Sequence, residues 1–188
     1  MRHWIHTLAV LAPAVFATPA LLAQAPAEAP KADAPQAAEE KKAEVVDFRK
    51  LKELLPANLG GLKRTQASGE RNQMDKFAIS QASGEYGEGE KTFSLQILDY
   101  GTTSPLLEMV KAMMTVEVDR ETDKEYEKSI KVEGHPGLER YNSEDKYGNA
   151  TLYVSGRYVV ELSGNGLSKE EFQKAIKELP IKKLAELK

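Results

Sequence analysis

His135 is where acid–base chemistry has to be sought first in this chain. Of the three histidines, His3 and His6 lie in an N-terminal stretch that reads as a removable leader, and there is no cysteine. A single imidazole can serve as a general base or a metal ligand, but His135 sits in Gly134-His-Pro-Gly137, among turn-forming residues. A Ser-His-Asp arrangement needs that turn to meet Ser129 or Ser143, and neither serine carries a nucleophile-elbow pattern. A surface turn is the expectation for His135.

Asp119, Glu121, Asp123 and Glu125 alternate, so that in an extended strand four carboxylates would share one face and attract Ca²⁺. The EF-hand loop requires glycine at its sixth place and glutamate at its twelfth. Here those places hold Lys124 and Ile130. With Arg120 and Lys124 interleaved, a solvated edge is expected and no metal. Gly84-Glu-Tyr-Gly-Glu-Gly89 is glycine-rich in the manner of a phosphate cradle, but no Lys-Ser/Thr pair and no helix start follows it.

Met109, Met113 and Met114 crowd one and a half helical turns. Thioethers suit Cu(I), and they equally suit gap-filling in a core or an adaptable surface for an apolar ligand. Leu106 and Val110 share their stripe, so core packing is expected. A small apolar pocket beneath the helix, lined by Met109, Met113 and Met114, is the ligand-binding alternative.

The elements that must position these groups follow from pattern. Met1–Ala23 has Arg2 and then an apolar, uncharged run from Leu8 broken by Pro13 and Pro19. It reads as a secretory signal, cleaved after Ala23 or Ala25. Its loss removes Trp4 and moves the net charge from −3 to −4, since Arg2 is the only charged residue that leaves. Membrane contact is expected only through this segment before cleavage. Residues 24–44 are Ala/Pro-rich, without an aromatic residue or an apolar face, and read as a disordered linker. Extended as polyproline II, they reach on the order of 60 Å. Residues 45–188 read as a single α+β domain. Charges are interspersed with no basic block, which leaves nucleic-acid binding without an electrostatic footprint.

Within that domain, Asp47 caps a helix over Phe48–Leu55, and Leu62–Ala67 is a first strand. Lys76–Ala82 is a second strand, with Phe77 and Ile79 on one face. A loop is expected over Gly84–Glu90. Thr92–Leu98 follows as a strand with Phe93, Leu95 and Ile97 alternating. Ser104-Pro105 opens the Met-rich helix. Tyr126–Val132 and Leu138–Tyr141 are strands about the His135 turn. Ala150–Leu162 is a hairpin folding at Ser155-Gly156-Arg157, with Tyr158, Val160 and Leu162 on one face; its loop length leaves the register open. Ser168-Lys-Glu-Glu171 is a capping box for a helix turning Phe172, Ala175, Ile176 and Leu179 inward, and Pro180 interrupts it. The expected architecture is an antiparallel sheet of about six to seven strands packed by three to four helices.

Leu55-Pro56 with Gly60-Gly61-Leu62, Val132-x-Gly134-x-Pro136, and Arg157-Tyr-Val-Val-Glu161 together give the chain a likeness. It resembles uncharacterised bacterial exported proteins with a PsbP-like fold, across Val45–Lys188. The resemblance implies a non-catalytic envelope protein and carries over no site residue and no cofactor. The functional expectation is a periplasmic or secreted protein-binding or scaffold module whose partner is an envelope protein. The alternatives are a carrier of a small apolar ligand under the Met-rich helix and, disfavoured by the side-chain inventory, a hydrolase.

Overall fold

The structure, a computed structural model, describes residues 44–74, 77–102 and 104–187; the expected signal and linker in residues 1–43 lie outside the described residues. The elements run α1 (Phe48–Glu53), β1 (Asn58–Leu59), β2 (Leu62–Met74), β3 (Phe77–Glu88), β4 (Lys91–Asp99), α2 (Pro105–Met114) and β5 (Asp119–Glu121). They continue with β6 (Glu125–Val132), β7 (His135–Asn142), β8 (Tyr147–Val154), β9 (Tyr158–Asn165), α3 (Lys169–Lys177) and α4 (Ile181–Glu186).

Among the described residues, nine strands form one sheet in the order β1-β2-β3-β4-β9-β8-β7-β6-β5, antiparallel at every neighbour. This overturns the α+β expectation of six to seven strands packed by helices. The fold is sheet-dominated, and its helices are only 6 to 10 residues long. The cause is that strands run on through segments of poor strand propensity. β2 extends past Ala67 to Met74, and β3 continues through Gly84 and Gly87 to Glu88, where a loop was expected. Gly84 pairs on both sides, with Ala67 of β2 and Leu95 of β4. Ladder hydrogen bonds from two neighbours outweigh the entropic penalty of a strand glycine.

Two meanders, β1–β4 and β5–β9, meet where β4 pairs with β9. Joining them requires the chain to pass from β4 over β9, β8, β7 and β6 to β5. Five steps of roughly 4.8 Å make about 24 Å. α2 covers roughly 15 Å of that at 1.5 Å per residue, lying on the opposite face of the sheet from the other three helices.

The core occupies the face carrying Phe93, Leu95 and Ile97 of β4, Tyr158, Val160 and Leu162 of β9, and Ala150, Leu152 and Val154 of β8, all buried. α1, α3 and α4 close it with Leu51, Phe172, Ala175, Ile176, Ile181 and Leu184. α3 starts as its sequence requires: Ser168 and Glu171 form the reciprocal capping box. Phe172 then stands on β8 at Gly148, where a Cβ would come within 2.6 Å of its ring. Glycine there is a packing requirement, since any side chain would lift the helix off the sheet.

In β3 the inward residues are Ala78, Ser80, Ala82 and Tyr86, while Phe77 is 46% exposed. α1 lies close over β2 and β3, with Phe48 against Gly69, so small residues face it and the aromatic at the strand start turns away. The β8–β9 loop holds three residues, Ser155 to Arg157, since Val154 pairs with Tyr158. Ser155 (φ 51°) and Gly156 (φ 69°) both take the left-handed conformation. The β6–β7 turn is Glu133-Gly134 alone, closed by Val132 opposite His135. His135 and Pro136 therefore belong to β7 and not to a turn. Pro136 is tolerated because β8 begins to pair only at Gly137, so no ladder bond is lost on that side.

Candidate functional site

A cleft of about 500 Å³ opens between the β5–β6 turn and the start of α3, lined by Thr122, Lys124, Tyr126, Tyr141, Lys146 and Lys169 among others. Its floor is an aromatic pair: Tyr126 and Tyr141 lie opposite each other in register, their ring centroids 6.1 Å apart. Register also sets Glu139 opposite Lys128 on the same face, and Glu139 is only 3% exposed.

A buried carboxylate must find donors or forfeit its hydration. The Tyr126 hydroxyl donates to Glu139 Oε1. Gln173 of α3 donates to the same oxygen at 2.9 Å and to the Tyr126 hydroxyl at 3.2 Å. Lys128 Nζ stands 3.8 Å from Oε2. The ammoniums of Lys128 and Lys169 lie 4.9 Å and 4.4 Å from the Tyr126 ring centroid, close enough for cation–π attraction. Burial pushes the Tyr126 hydroxyl well above the ordinary tyrosine range, and the Glu139 carboxylate pushes it further. The phenol therefore stays a donor at neutral pH. At the helix start, Glu171 is held below the usual carboxylate range by Lys91, whose Nζ is 2.5 Å away. These bonds dock α3 onto the β6–β7 hairpin and onto β4, and the groups that make them are engaged with one another.

A second buried carboxylate, Asp99, ends β4 at 0% exposed. Arg157 grips it with Nε and Nη2, each at 2.8 Å, in the two-pronged geometry that strengthens such pairs. Asp99 also accepts the Val46 N–H at 2.6 Å and the Gly101 N–H at 2.8 Å. Arg157 donates onward to the Glu44 carbonyl. This pair fastens the start of the described chain to the β8–β9 turn.

The sequence-derived candidates do not converge. His135 is half-buried, and its Nδ1 accepts the Ser155 N–H at 3.4 Å. Ser129 Oγ accepts the Val118 N–H at 2.9 Å, and Ser143 Oγ donates to the Lys124 carbonyl at 2.8 Å. Both hydroxyls are thus committed to backbone away from His135. The four acids do not share a strand, because β5 ends at Glu121 and the Thr122 N–H closes a turn onto the Glu125 carbonyl. All four are exposed. Among the described residues no group of three or more His, Cys, Asp or Glu could hold a metal ion.

In α2, Leu107 is the buried residue, packed with Leu98 and Val159, and Val110 is half-buried beside them. The expected core stripe is turned outward instead: Leu106 is 49% exposed, Met109 61% and Met113 59%, continued by Val116 at 60%. Met114 is half-buried, and no residue of α2 lines the cleft described above. The far face of the sheet gives the reason. It carries Gln96, Glu161 and Thr151 in one row, and its small apolar seat of Leu98 and Val159, flanked by Tyr100 and Tyr153, takes Leu107 with Val110 at its edge.

Sequence reasoning missed Glu139 with Gln173 and Asp99 with Arg157. Asp99 did carry a signal, since it continues the inward alternation of Phe93, Leu95 and Ile97, an acid at a core position that demands a buried cation. Glu139 carried none, because its partner on α3 is set only by the packing. Comparison with protein-family models, curated proteins and solved structures returns no match.

Proposed function

We propose that this chain is a non-catalytic, exported cell-envelope module that binds a protein chain through the outer flank of α2. The exposed row of Leu106, Met109, Met113 and Val116 is the observation that carries the reading. Contiguous apolar patches of this kind mark interaction sites, and methionine is over-used at adaptable ones. The row stands on a helix anchored by Leu107, so its position is set before a partner arrives. Export rests on the character of the first 23 residues. The carrier alternative would place its ligand between α2 and the sheet; the packing of Leu107 on Leu98 and Val159 there weighs against it.

A photo-crosslinking amino acid placed at Met113, with exposed Thr92 of β4 as the control position, tests this in exporting cells. A discrete protein adduct is expected from Met113 and none from Thr92, with the Met113 adduct lost when Met109 is changed to Lys. No adduct, or equal labelling at both positions, overturns the proposal.

A further inference from the structure

We infer that the cleft between the β5–β6 turn and the start of α3 binds a free peptide of about three residues, recognised by its two charged ends. The site is separate from the contact surface on α2, none of whose residues lines the cleft. Its volume of about 500 Å³ lies in the range of small-ligand pockets.

The charges of the lining are sorted by side. Glu121, Asp123 and Glu125 line it from the β5–β6 turn, and the cations next to them are drawn elsewhere. Lys124 goes to Glu144 at 2.9 Å, and Arg120 goes to Glu127 at 3.7 Å. On the other side Lys91 takes up Glu171 at 2.5 Å, which leaves Lys146 and Lys169 as the cationic lining. A lone anion drawn to the lysines also meets the acids, and a lone cation meets the reverse. A ligand that carries both charges is attracted at both ends.

The sheet order sets the spacing. Glu125 and Tyr147 both pair with Asn142 of β7, so Glu125 and Lys146 stand at one level, two strands apart. Two steps of roughly 4.8 Å separate their backbones by about 10 Å. An extended tripeptide, at about 3.3–3.6 Å per residue, has that length. Its ammonium would lie at the β5–β6 turn and its carboxylate at Lys146 and Lys169. Between them, Tyr126 and Tyr141 donate their hydroxyls to Glu139 and to the Leu167 carbonyl. The floor therefore offers ring carbon, suited to small apolar side chains.

The walls are set before a ligand arrives. The Ser143 N–H and Oγ both donate to the Lys124 carbonyl at 2.8 Å, joining the acidic turn to the turn that carries Lys146. Thr122 Oγ1 accepts the Glu125 N–H at 3.1 Å, and the Lys146 carbonyl accepts the Leu167 N–H at 3.3 Å. A pre-formed cleft spares a ligand the cost of ordering loops.

The test is a titration of the isotope-labelled full chain with trialanine, followed by its amide resonances. Saturable shifts are expected at Glu125, Lys146, Gly166 and Lys169. N-acetyl-trialanine, trialanine amide and free alanine should each bind at least tenfold more weakly. Asp123→Asn and Lys146→Asn should each weaken trialanine several-fold at an unchanged melting temperature; asparagine tolerates the left-handed φ of 49° at Lys146. Should Lys146→Asn melt early, Lys169→Gln takes its place. Absence of saturable shifts at millimolar trialanine overturns the inference. So does equal binding of a capped peptide, displacement by acetate alone at the same concentration, or unchanged affinity in the variants.

Discussion

α3 and α2 are nearly equal in length and treat their apolar residues in opposite ways. α3 is mostly Lys, Glu and Gln, yet Phe172, Ala175 and Ile176 are all buried. α2 is rich in Leu and Met, yet Leu107 alone is fully buried. The counter-surface makes the difference. Under α3 the sheet presents Gly148 as a seat for an aromatic ring and Phe93 to stack against it, 6.4 Å between centroids. Under α2 it presents only two buried aliphatic side chains, Leu98 and Val159, with Tyr100 and Tyr153 partly buried beside them. Apolar content alone does not bury a helix; the face it lands on must have room and matching surface.

Truncation should make that contrast quantitative. Phe172→Ala empties the seat on Gly148 and is expected to cost about 3–5 kcal/mol, whereas Leu107→Ala on the small far-face cluster should cost about 2 kcal/mol. Denaturant melts of both variants decide it, and equal costs would erase the distinction between the two faces. A smaller effect is expected at Tyr86, buried on the α3 side with its hydroxyl donating to the Pro56 carbonyl at 3.0 Å. Tyr86→Phe should cost about 1 kcal/mol at pH 8.

Burial pushes the Tyr86 hydroxyl up to about 12, above the roughly 10 of an unfolded tyrosine. The folded state thus holds its proton longer. The stability this contributes is present below pH 10 and is lost as pH rises through 12. Melting temperatures followed from pH 8 to 11.5 should show the wild type losing its advantage over Tyr86→Phe, and parallel curves would refute the assignment. The smallest effect is expected on the outer flank of α2: Met109→Ser with Met113→Ser should shift the stability of the dilute protein by no more than about 0.5 kcal/mol. A larger loss would mean that these side chains are held against the protein after all.

The same contrast explains what was legible beforehand. Ser168 with Glu171, the Phe172–Leu179 stripe, the alternation of Phe93, Leu95 and Ile97, and the inward Tyr158, Val160 and Leu162 were readable because each is a local pattern matched to a deep apolar face. Helical spacing also identified a stripe in α2, but periodicity says which residues share a side and not which side meets the sheet. The reach of β3 through Gly84 and Gly87 was hidden for a related reason. Those glycines are poor strand formers alone, and pairing from both flanks holds them extended. The buried carboxylates lay beyond reach because Gln173 and Arg157 come to them from distant parts of the chain.

The meeting of β4 with β9 has a kinetic consequence. Every other pairing in the sheet joins strands adjacent in the chain, whereas this one sets Thr92 opposite Asn165 and Asp99 opposite Tyr158. The intervening α2 to β8 must be gathered into a closed loop before that ladder can form. Loop-closure entropy and non-local pairing both slow such a step. Each meander can zip from its own turns, so the encounter of the two halves is the event that sets the pace of folding. Until it is complete, β4 and β9 each carry an open apolar edge, which is when this chain is most vulnerable to aggregation.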